Sequence, residues 1–164
     1  MIGLIVARSI NNVIGKKGRI PWRIEGEQKQ FKELTTGNIV VMGRKSYEEI
    51  GHPLPDRTII VVSKTKKFKG ENLITAFSVK EALEFAQSDC KKRDIFFAGG
   101  YGIYKEAIPL VDIMYITEVE ITVEDGDVFF PDFSPDDFDV TIGESCGKEI
   151  KYKRTIYRKR NKKK

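Results

Sequence analysis

The chain has 164 residues, of which 40% are apolar, and a formal net charge of +5. This size and apolar content suffice for a single domain over residues 1–164 without stabilisation by disulfides, and no stretch approaches membrane-spanning length. The first residues carry no basic leader before their apolar run, so we expect a cytoplasmic protein that has no membrane partner. Its size makes a monomer the default expectation.

Metal and nucleic-acid binding are both disfavoured by the sequence. Cys90 and Cys146 are far apart and His52 is the only histidine, so we predict reduced thiols and no metal site. The basic tail, residues 159–164, is typical of a solvated chain end. A basic nucleic-acid-binding protein stays as an alternative of a different class, although no recognition motif or aromatic platform favours it.

Short apolar runs alternate with helical patterns along the chain, which is typical of an α/β domain with a largely parallel sheet. The runs are mostly continuous, as expected for strands that helices cover on both faces. They predict strands at Ile2–Ala7, Ile39–Met42, Thr58–Ser63, Leu73–Thr75, Ile95–Ala98 and Ile113–Val119.

A first helix is predicted from about Glu25 to Thr35, and its spacing places Glu27 on the same face as Phe31 and Leu34. A carboxylate facing the interior costs several kcal/mol unless a cation or strong donors meet it. Either Glu27 pairs with a basic side chain, or it lies at a helix N-terminus where acids are favoured, or it binds a ligand.

Two strand ends carry cationic and hydroxyl side chains, at Met42-Gly43-Arg44-Lys45-Ser46 and at Val62-Ser63-Lys64. Such ends converge on the ligand crevice of an open α/β sheet. Arginine, lysine and serine together suit a phosphate monoester, which favours NADPH over NADH.

A second helix is predicted by the capping box Ser78-Val79-Lys80-Glu81, followed by apolar residues at helical spacing. The strand at Ile95–Ala98 then runs into Gly99-Gly100-Tyr101-Gly102-Ile103-Tyr104 and a short helix. Absent Cβ atoms let a pyrophosphate approach the backbone there, although the spacing is not a Rossmann fingerprint and a tight structural turn explains it equally well. Alternation at Asp139–Ile142 and Tyr152–Tyr157 predicts an antiparallel hairpin at one edge of a mixed sheet.

Taken in order, several motifs resemble dihydrofolate reductases over nearly the whole chain, with only the basic tail outside. These motifs are Ile14-Gly15, Ile20-Pro21-Trp22, the acid Glu27 with Phe31, Met42-Gly43-Arg44, Ile50-Gly51-His52-Pro53-Leu54-Pro55-Asp56-Arg57, Gly99-Gly100, and Gly126-Asp127 before Phe130-Pro131.

The resemblance implies an eight-stranded, mostly parallel mixed sheet with four helices and a C-terminal antiparallel hairpin. A cleft would separate a major lobe from an adenosine-binding lobe near residues 38–90. The implied reaction is NADPH-dependent reduction of 7,8-dihydrofolate to tetrahydrofolate, by hydride transfer from nicotinamide C4 to substrate C6 and protonation of N5 by a water. Antifolate inhibitors are implied as further ligands.

The resemblance also assigns residues. Glu27 would anchor the pterin, with Thr117 orienting its carboxylate directly or through water, and Arg57 would bind the α-carboxylate of the glutamate tail. Catalytic positions are Glu27, Ile20 and Trp22. The substrate positions are Ile5, Ala7, Glu27, Gln28, Phe31, Ile50, His52, Leu54, Arg57, Ala98, Tyr104 and Thr117.

On the cofactor side, the segment from Gly15 to Trp22 resembles a mobile lid over the nicotinamide that Gly126-Asp127 steadies, and the Gly99-Gly100 peptide is expected to be cis. The matching cofactor positions are Ala7, Ile14, Gly15, Lys16, Lys17, Gly18, Arg19, Ile20, Gly43, Arg44, Lys45, Ser46, Val62, Ser63, Lys64, Gly99, Gly100, Tyr101, Gly102, Ile103 and Tyr104.

The chain departs from the common bacterial pattern at Glu27 (usually Asp), Gln28 (usually Leu), His52 (usually Arg), Ala98 (usually a larger aliphatic residue) and Tyr101 (usually Gly). The segment Gly26-Glu27-Gln28 is similar to trimethoprim-insensitive, integron-borne members, so weak trimethoprim binding is a hypothesis, with ordinary chromosomal variation as the alternative. A pyrimidine or pteridine reductase of related fold is the alternative enzyme, and it would not explain Arg57 together with Glu27.

Overall fold

The computed structural model of the protein describes residues 1–24, 26–51 and 54–160. The predicted residues Glu25, His52 and Pro53 and the tail residues 161–164 lie outside the described residues. In chain order the elements are β1 (Ile2–Ser9), β2 (Val13–Gly15), α1 (Glu27–Thr35), β3 (Ile39–Gly43), α2 (Arg44–Ile50), β4 (Thr58–Val62), β5 (Leu73–Ala76), α3 (Val79–Gln87), β6 (Ile95–Phe97), α4 (Tyr101–Ala107), β7 (Ile113–Val119), β8 (Val128–Phe129), β9 (Phe138–Cys146) and β10 (Tyr152–Lys159).

The main sheet has eight strands in the order β5-β4-β3-β6-β1-β7-β10-β9, and β2 and β8 form a separate two-stranded sheet. All pairs from β5 to β7 are parallel, whereas β10 runs antiparallel to both β7 and β9. The predicted α/β class, the eight-stranded mostly parallel sheet, the C-terminal hairpin and the four helices are therefore confirmed.

Each central strand buries both faces, because side chains alternate along it. On β3, Ile39 and Val41 belong to a large core with α3 and α4, whereas Val40 and Met42 face the opposite side. All four side chains are at most 2% exposed. Burial on both faces explains why these strands appear in the sequence as continuous apolar runs.

Helix α1 begins later than predicted, at Glu27 rather than near Glu25. Gly26 precedes it with φ of 92°, a left-handed conformation that glycine adopts without a Cβ penalty and that interrupts the helical path there. Glu27 consequently occupies the first helical position.

Helix α3 begins where the capping box predicted, since Ser78 accepts a hydrogen bond from the Glu81 backbone N–H at 3.1 Å. The reciprocal bond differs from the prediction, because Glu81 Oε1 accepts from the backbone N–H of Phe77 at 3.4 Å rather than from Ser78. The second bond of the capping box therefore lies one residue before the N-cap.

Within the described residues, no helix is long and apolar enough to cross a membrane. The same residues contain no cluster of three or more His, Cys, Asp or Glu side chains arranged for a metal ion. Cys90 and Cys146 are both exposed free thiols.

Candidate active site

The carboxylate of Glu27, at the start of α1, reaches across to strand β7. The buried hydroxyl of Thr117 donates to Glu27 Oε1 at 3.1 Å. The same hydroxyl lies 3.5 Å from Gln30 Oε1. Because a hydroxyl carries one proton, the shorter, charge-assisted contact with the carboxylate takes it. The direct contact is one of the two arrangements that the sequence left open.

The second oxygen of Glu27, Oε2, is buried and has no hydrogen-bond partner among the described residues. Burial raises the pKa of Glu27 above its ordinary value, while the Thr117 bond and the charge of Arg154 act in the opposite direction. Among the residues that the structure describes, no lysine or arginine forms an ion pair with Glu27. A buried carboxylate oxygen without a partner is suited to bind a hydrogen-bond donor from a ligand.

The helical spacing of α1 places an apolar wall beside this carboxylate. Phe31 is half-buried one turn after Glu27, whereas Gln28 points to the exposed side. Phe31 packs on the core face formed by Val40 and Met42. The same cluster also includes three more predicted substrate positions, Ile50, Leu54 and Ala98.

Arg57 lies on the far side of Phe31 and is only 5% exposed. Its Nε donates to the Pro55 carbonyl at 3.0 Å, its Nη1 donates to Thr35 Oγ1 at 3.2 Å, and its guanidinium lies 5.9 Å from the Phe31 ring centroid. No acidic side chain of the described residues forms an ion pair with it; burial lowers its pKa, and the charge of Asp56 acts in the opposite direction. A pre-oriented guanidinium without an ion pair fits a carboxylate ligand.

Three groups of predicted cofactor residues, 43–46, 62–64 and 99–104, lie where the parallel strands β3, β4 and β6 end at one edge of the sheet. The Gly43 N–H donates to the Gly99 carbonyl at 2.7 Å, so the ends of β3 and β6 meet backbone to backbone. A side chain would be strained on Gly99, whose φ is 103° and where a Cβ would lie 3.1 Å from the Tyr104 hydroxyl, whereas a Cβ on Gly43 would make an ordinary contact with Ile103 at 3.4 Å. The Gly99-Gly100 peptide is cis, as expected.

Tyr104 joins this strand end to β1. Its buried hydroxyl donates to the carbonyl oxygen of Ile5 at 2.9 Å. Burial, with the nearby charge of Glu27, raises the pKa of Tyr104 well above its ordinary value, so the phenol stays neutral and remains a donor. The tyrosine therefore connects the predicted substrate and cofactor sides.

A groove of about 730 Å³ runs between α2 and the predicted lid, lined by Gly18, Arg19, Ile20, Arg44, Lys45, Glu48 and Glu49. Arg44 is partly engaged by Glu48 at 3.5 Å, whereas Lys45 is exposed. Ser63 and Lys64 line a second groove of about 470 Å³, next to β5. Basic side chains and glycine backbones at a strand edge fit the anionic phosphates of NADPH.

The predicted lid is folded against the Gly126-Asp127 loop. Lys16 and Arg19 close a two-residue turn in which Lys17 and Gly18 both have positive φ. Asp127 accepts from the Lys17 N–H at 3.0 Å and donates its own N–H to the Gly15 carbonyl at 3.1 Å. At the lid's far end Ile20 is 56% exposed and Trp22 is half-buried.

Residues 1–160 match the sequence profile described as dihydrofolate reductase. The chain belongs to the dihydrofolate reductase family. The predicted oxidoreductase class, NADPH-dependent reduction of dihydrofolate, is confirmed by this match together with a solved relative that contains NADP(H), and so is NADPH as the cofactor.

Individual relatives support the same family. The chain is 38% identical over 141 residues to dihydrofolate reductase of Haemophilus influenzae, covering 86% of this chain and 85% of the relative. It is 35% identical over 160 residues to dihydrofolate reductase type A13 of Escherichia coli, covering 98% and 95%. A solved structure of dihydrofolate reductase from Enterococcus faecalis, complexed with NADP(H) and RAB-propyl, superposes with a TM-score of 0.85 at 31% identity, covering 98% of this chain and 97% of that one.

Sequence reasoning missed two polar residues that lie near Glu27. Gln30 follows Glu27 by three positions on α1, so helical spacing could have identified it. Arg154 comes from β10, where it pairs in register with Thr117, and its Nη2 donates to the Gly26 carbonyl at 3.3 Å. Nothing in the local sequence indicates that register.

Proposed function

We propose that Glu27 binds the pterin ring of 7,8-dihydrofolate in this reductase. The supporting observation is the buried, unpartnered Oε2 beside an Oε1 that Thr117 already holds. A pterin presents neighbouring N–H donors on one ring edge, and a carboxylate with one fixed and one unsatisfied oxygen can accept from them.

Glu27 then acts electrostatically rather than as the direct proton donor. When bound, NADPH supplies the hydride for C6 of the substrate. Protonation of N5 by a water makes the pterin cationic, and the nearby carboxylate stabilises that cation in a site of low dielectric constant. The raised pKa of Glu27 reflects the burial that makes this interaction strong.

The remaining substrate is bound along the wall that leads from Glu27 to Arg57. Phe31, Leu54 and Ile50 pack on a single core face and provide apolar contacts. Arg57, held by Thr35 and Pro55, is the candidate for the α-carboxylate of the glutamate tail. Its planar fork favours bidentate binding of a carboxylate.

The strand ends would hold NADPH, with Arg44, Lys45, Ser46, Ser63 and Lys64 as candidates for its phosphates. The backbone from Gly99 to Gly102 offers close approach, and a Cβ on Gly102 would meet nothing within 4 Å. The lid, closed by its bonds to Asp127, would exclude water from the reacting groups.

We also propose that this reductase binds trimethoprim weakly. Glu27 is one methylene longer than the usual aspartate, Ala98 removes contacts from the wall, and Gln28 places a polar amide at its exposed rim. Each change weakens contacts with a diaminopyrimidine that has to bind the same carboxylate, while the substrate retains Arg57 as a second anchor.

The experiment is to follow NADPH oxidation by absorbance with dihydrofolate across a trimethoprim series. We expect turnover that survives high inhibitor. In Ala98→Leu, the inhibition constant should fall about 10-fold, because a larger aliphatic side chain on the wall beside Phe31 contributes about 1.5 kcal/mol when the inhibitor buries it. Turnover with ordinary sensitivity would refute the inhibitor proposal alone, and absence of turnover would refute the substrate assignment.

We further propose that residues 1–164 act as one monomeric domain of the cytoplasm, with an adenosine-binding lobe near residues 38–90. The exposed free thiols of Cys90 and Cys146 suit a reducing compartment. Sedimentation equilibrium tests the oligomeric state, since a dimer mass would contradict the monomer.

A further inference from the structure

Strand β10 places an arginine directly behind the substrate-binding acid. Arg154 and Thr117 are register partners on neighbouring antiparallel strands. Thr117 donates to the Glu27 carboxylate at 3.1 Å, and Arg154 donates to the carbonyl of Gly26, the residue just before Glu27, at 3.3 Å. The two strand residues therefore hold consecutive residues at the start of α1.

Few other hydrogen bonds fix the start of α1. Gly26 is in the left-handed conformation, and the helix has no side-chain cap there. The Gly26 carbonyl oxygen also accepts a hydrogen bond from the Gln30 N–H at 3.1 Å, so the bond from Arg154 is a second bond to the same oxygen. A movement of Gly26 would move Glu27 with it, because Glu27 is the next residue.

We propose that Arg154 is a positioning residue for Glu27, which fixes the first turn of α1 through Gly26 and holds a positive charge behind the carboxylate. It acts through Glu27 and, on this geometry, does not touch the substrate. The inference rests on the proposed role of Glu27 in binding the pterin.

The charged and titratable groups around Glu27 are few among the described residues. Arg154 on β10 supplies the positive charge, and Tyr104 on α4 is a buried neutral phenol. Tyr152, also on β10, is a second phenol, with its hydroxyl 3.7 Å from where a Cβ on Gly26 would lie. Thr117 on β7 contributes a hydroxyl without charge. Lys153, the neighbour of Arg154, pairs with Glu120 at 3.5 Å instead.

The test measures the Glu27 titration directly, by carbon NMR of the side-chain carboxyl in chain labelled at glutamate, without substrate or cofactor. The Glu27 resonance is identified by its loss in Glu27→Gln. In Arg154→Met we expect the Glu27 pKa to rise by about 0.5 pH unit. This is below the shift usual for an opposite charge in direct contact, because the guanidinium forms neither a hydrogen bond nor an ion pair with the carboxylate among the described residues.

Three variants make the result decisive. Arg154→Lys keeps the charge and should give a pKa between those of wild type and Arg154→Met, and Arg154→Gln serves as the uncharged variant if the methionine variant does not fold. Lys153→Met removes a neighbouring charge and should leave the Glu27 titration unchanged. The KM for dihydrofolate should rise in Arg154→Met and stay constant in Lys153→Met.

Two outcomes would overturn the inference. One is an unchanged Glu27 titration in both Arg154→Met and Arg154→Gln, and the other is an equal shift in Lys153→Met. Failure of the proposed function would look different, since Glu27→Gln would then bind and reduce dihydrofolate like the wild type whatever the titration showed.

Discussion

The most direct perturbation of the site is Glu27→Gln, which keeps the shape of the side chain and removes its charge. The glutamine oxygen can still accept from Thr117, which lies 3.1 Å from Glu27 Oε1. The amide group at the other position cannot accept from the pterin. We therefore expect the fold to survive and the cationic form of the substrate to lose its stabilisation.

The magnitude follows from hydrogen bonds to a charged group. Such a bond contributes about 1.5–3 kcal/mol, against about 0.5–1.5 kcal/mol for a neutral pair. Glutamine keeps the Thr117 bond and loses the charged bond to the pterin, which removes about 1.5–3 kcal/mol from the stabilisation of the transition state. The hydride-transfer rate at neutral pH should therefore fall about 10- to 150-fold.

The assay is single-turnover oxidation of NADPH after mixing with dihydrofolate, from acidic to alkaline pH. The deficit should be largest at neutral pH and smaller at acidic pH, where solvent protonates N5 without help from the enzyme. Glu33→Gln is the matched control, because Glu33 is an exposed acid on the same helix. Its rates should equal those of the wild type.

Two results would refute this reasoning. Unchanged rates at every pH would remove Glu27 from the mechanism. A deficit of the same size at acidic and neutral pH would show that Glu27 only positions the substrate, since stabilisation of a cation must depend on how readily that cation forms.

Three further predictions concern substrate binding, the lid and stability. Arg57→Lys should raise the KM for dihydrofolate about 10- to 100-fold with little change in kcat, because an ammonium lacks the planar fork; a lower kcat at constant KM would contradict this. Gly126→Ala would place a Cβ 2.5 Å from the Val13 side chain, so unfolding should become easier by about 1–3 kcal/mol and NADPH binding weaker as Asp127 is displaced. Differential scanning calorimetry measures the loss of stability, and a binding titration measures the affinity for NADPH. An unchanged melting temperature would refute the clash. Glu27→Gln should raise the melting temperature at neutral pH. Burial raises the pKa of Glu27 in the folded chain, so ionising this carboxyl above that pKa destabilises the folded wild type, and the variant lacks this cost. The difference in melting temperature should therefore shrink as the pH falls toward the ordinary pKa of 4.5. A difference that grows on acidification would contradict this reasoning.

The sequence by itself determined the family and most of the strands. Ile113–Val119 matches its predicted bounds, because a buried central strand is a continuous apolar run and needs no knowledge of its neighbours. Helical spacing also placed Glu27 with Phe31 on one face, since both signals lie within two turns of chain. Local patterns can therefore identify the acid and its apolar neighbours.

Only the tertiary structure decided what surrounds that acid. Thr117 is 90 positions from Glu27, and Arg154 is 128 positions from Gly26, so their contacts depend on sheet order and strand register. A shift of one residue in β10 would turn Arg154 to the other face of the sheet and bring Lys153 or Thr155 to its place. The residues that set the charge and position of Glu27 are therefore fixed by long-range strand pairing, which local sequence patterns do not encode.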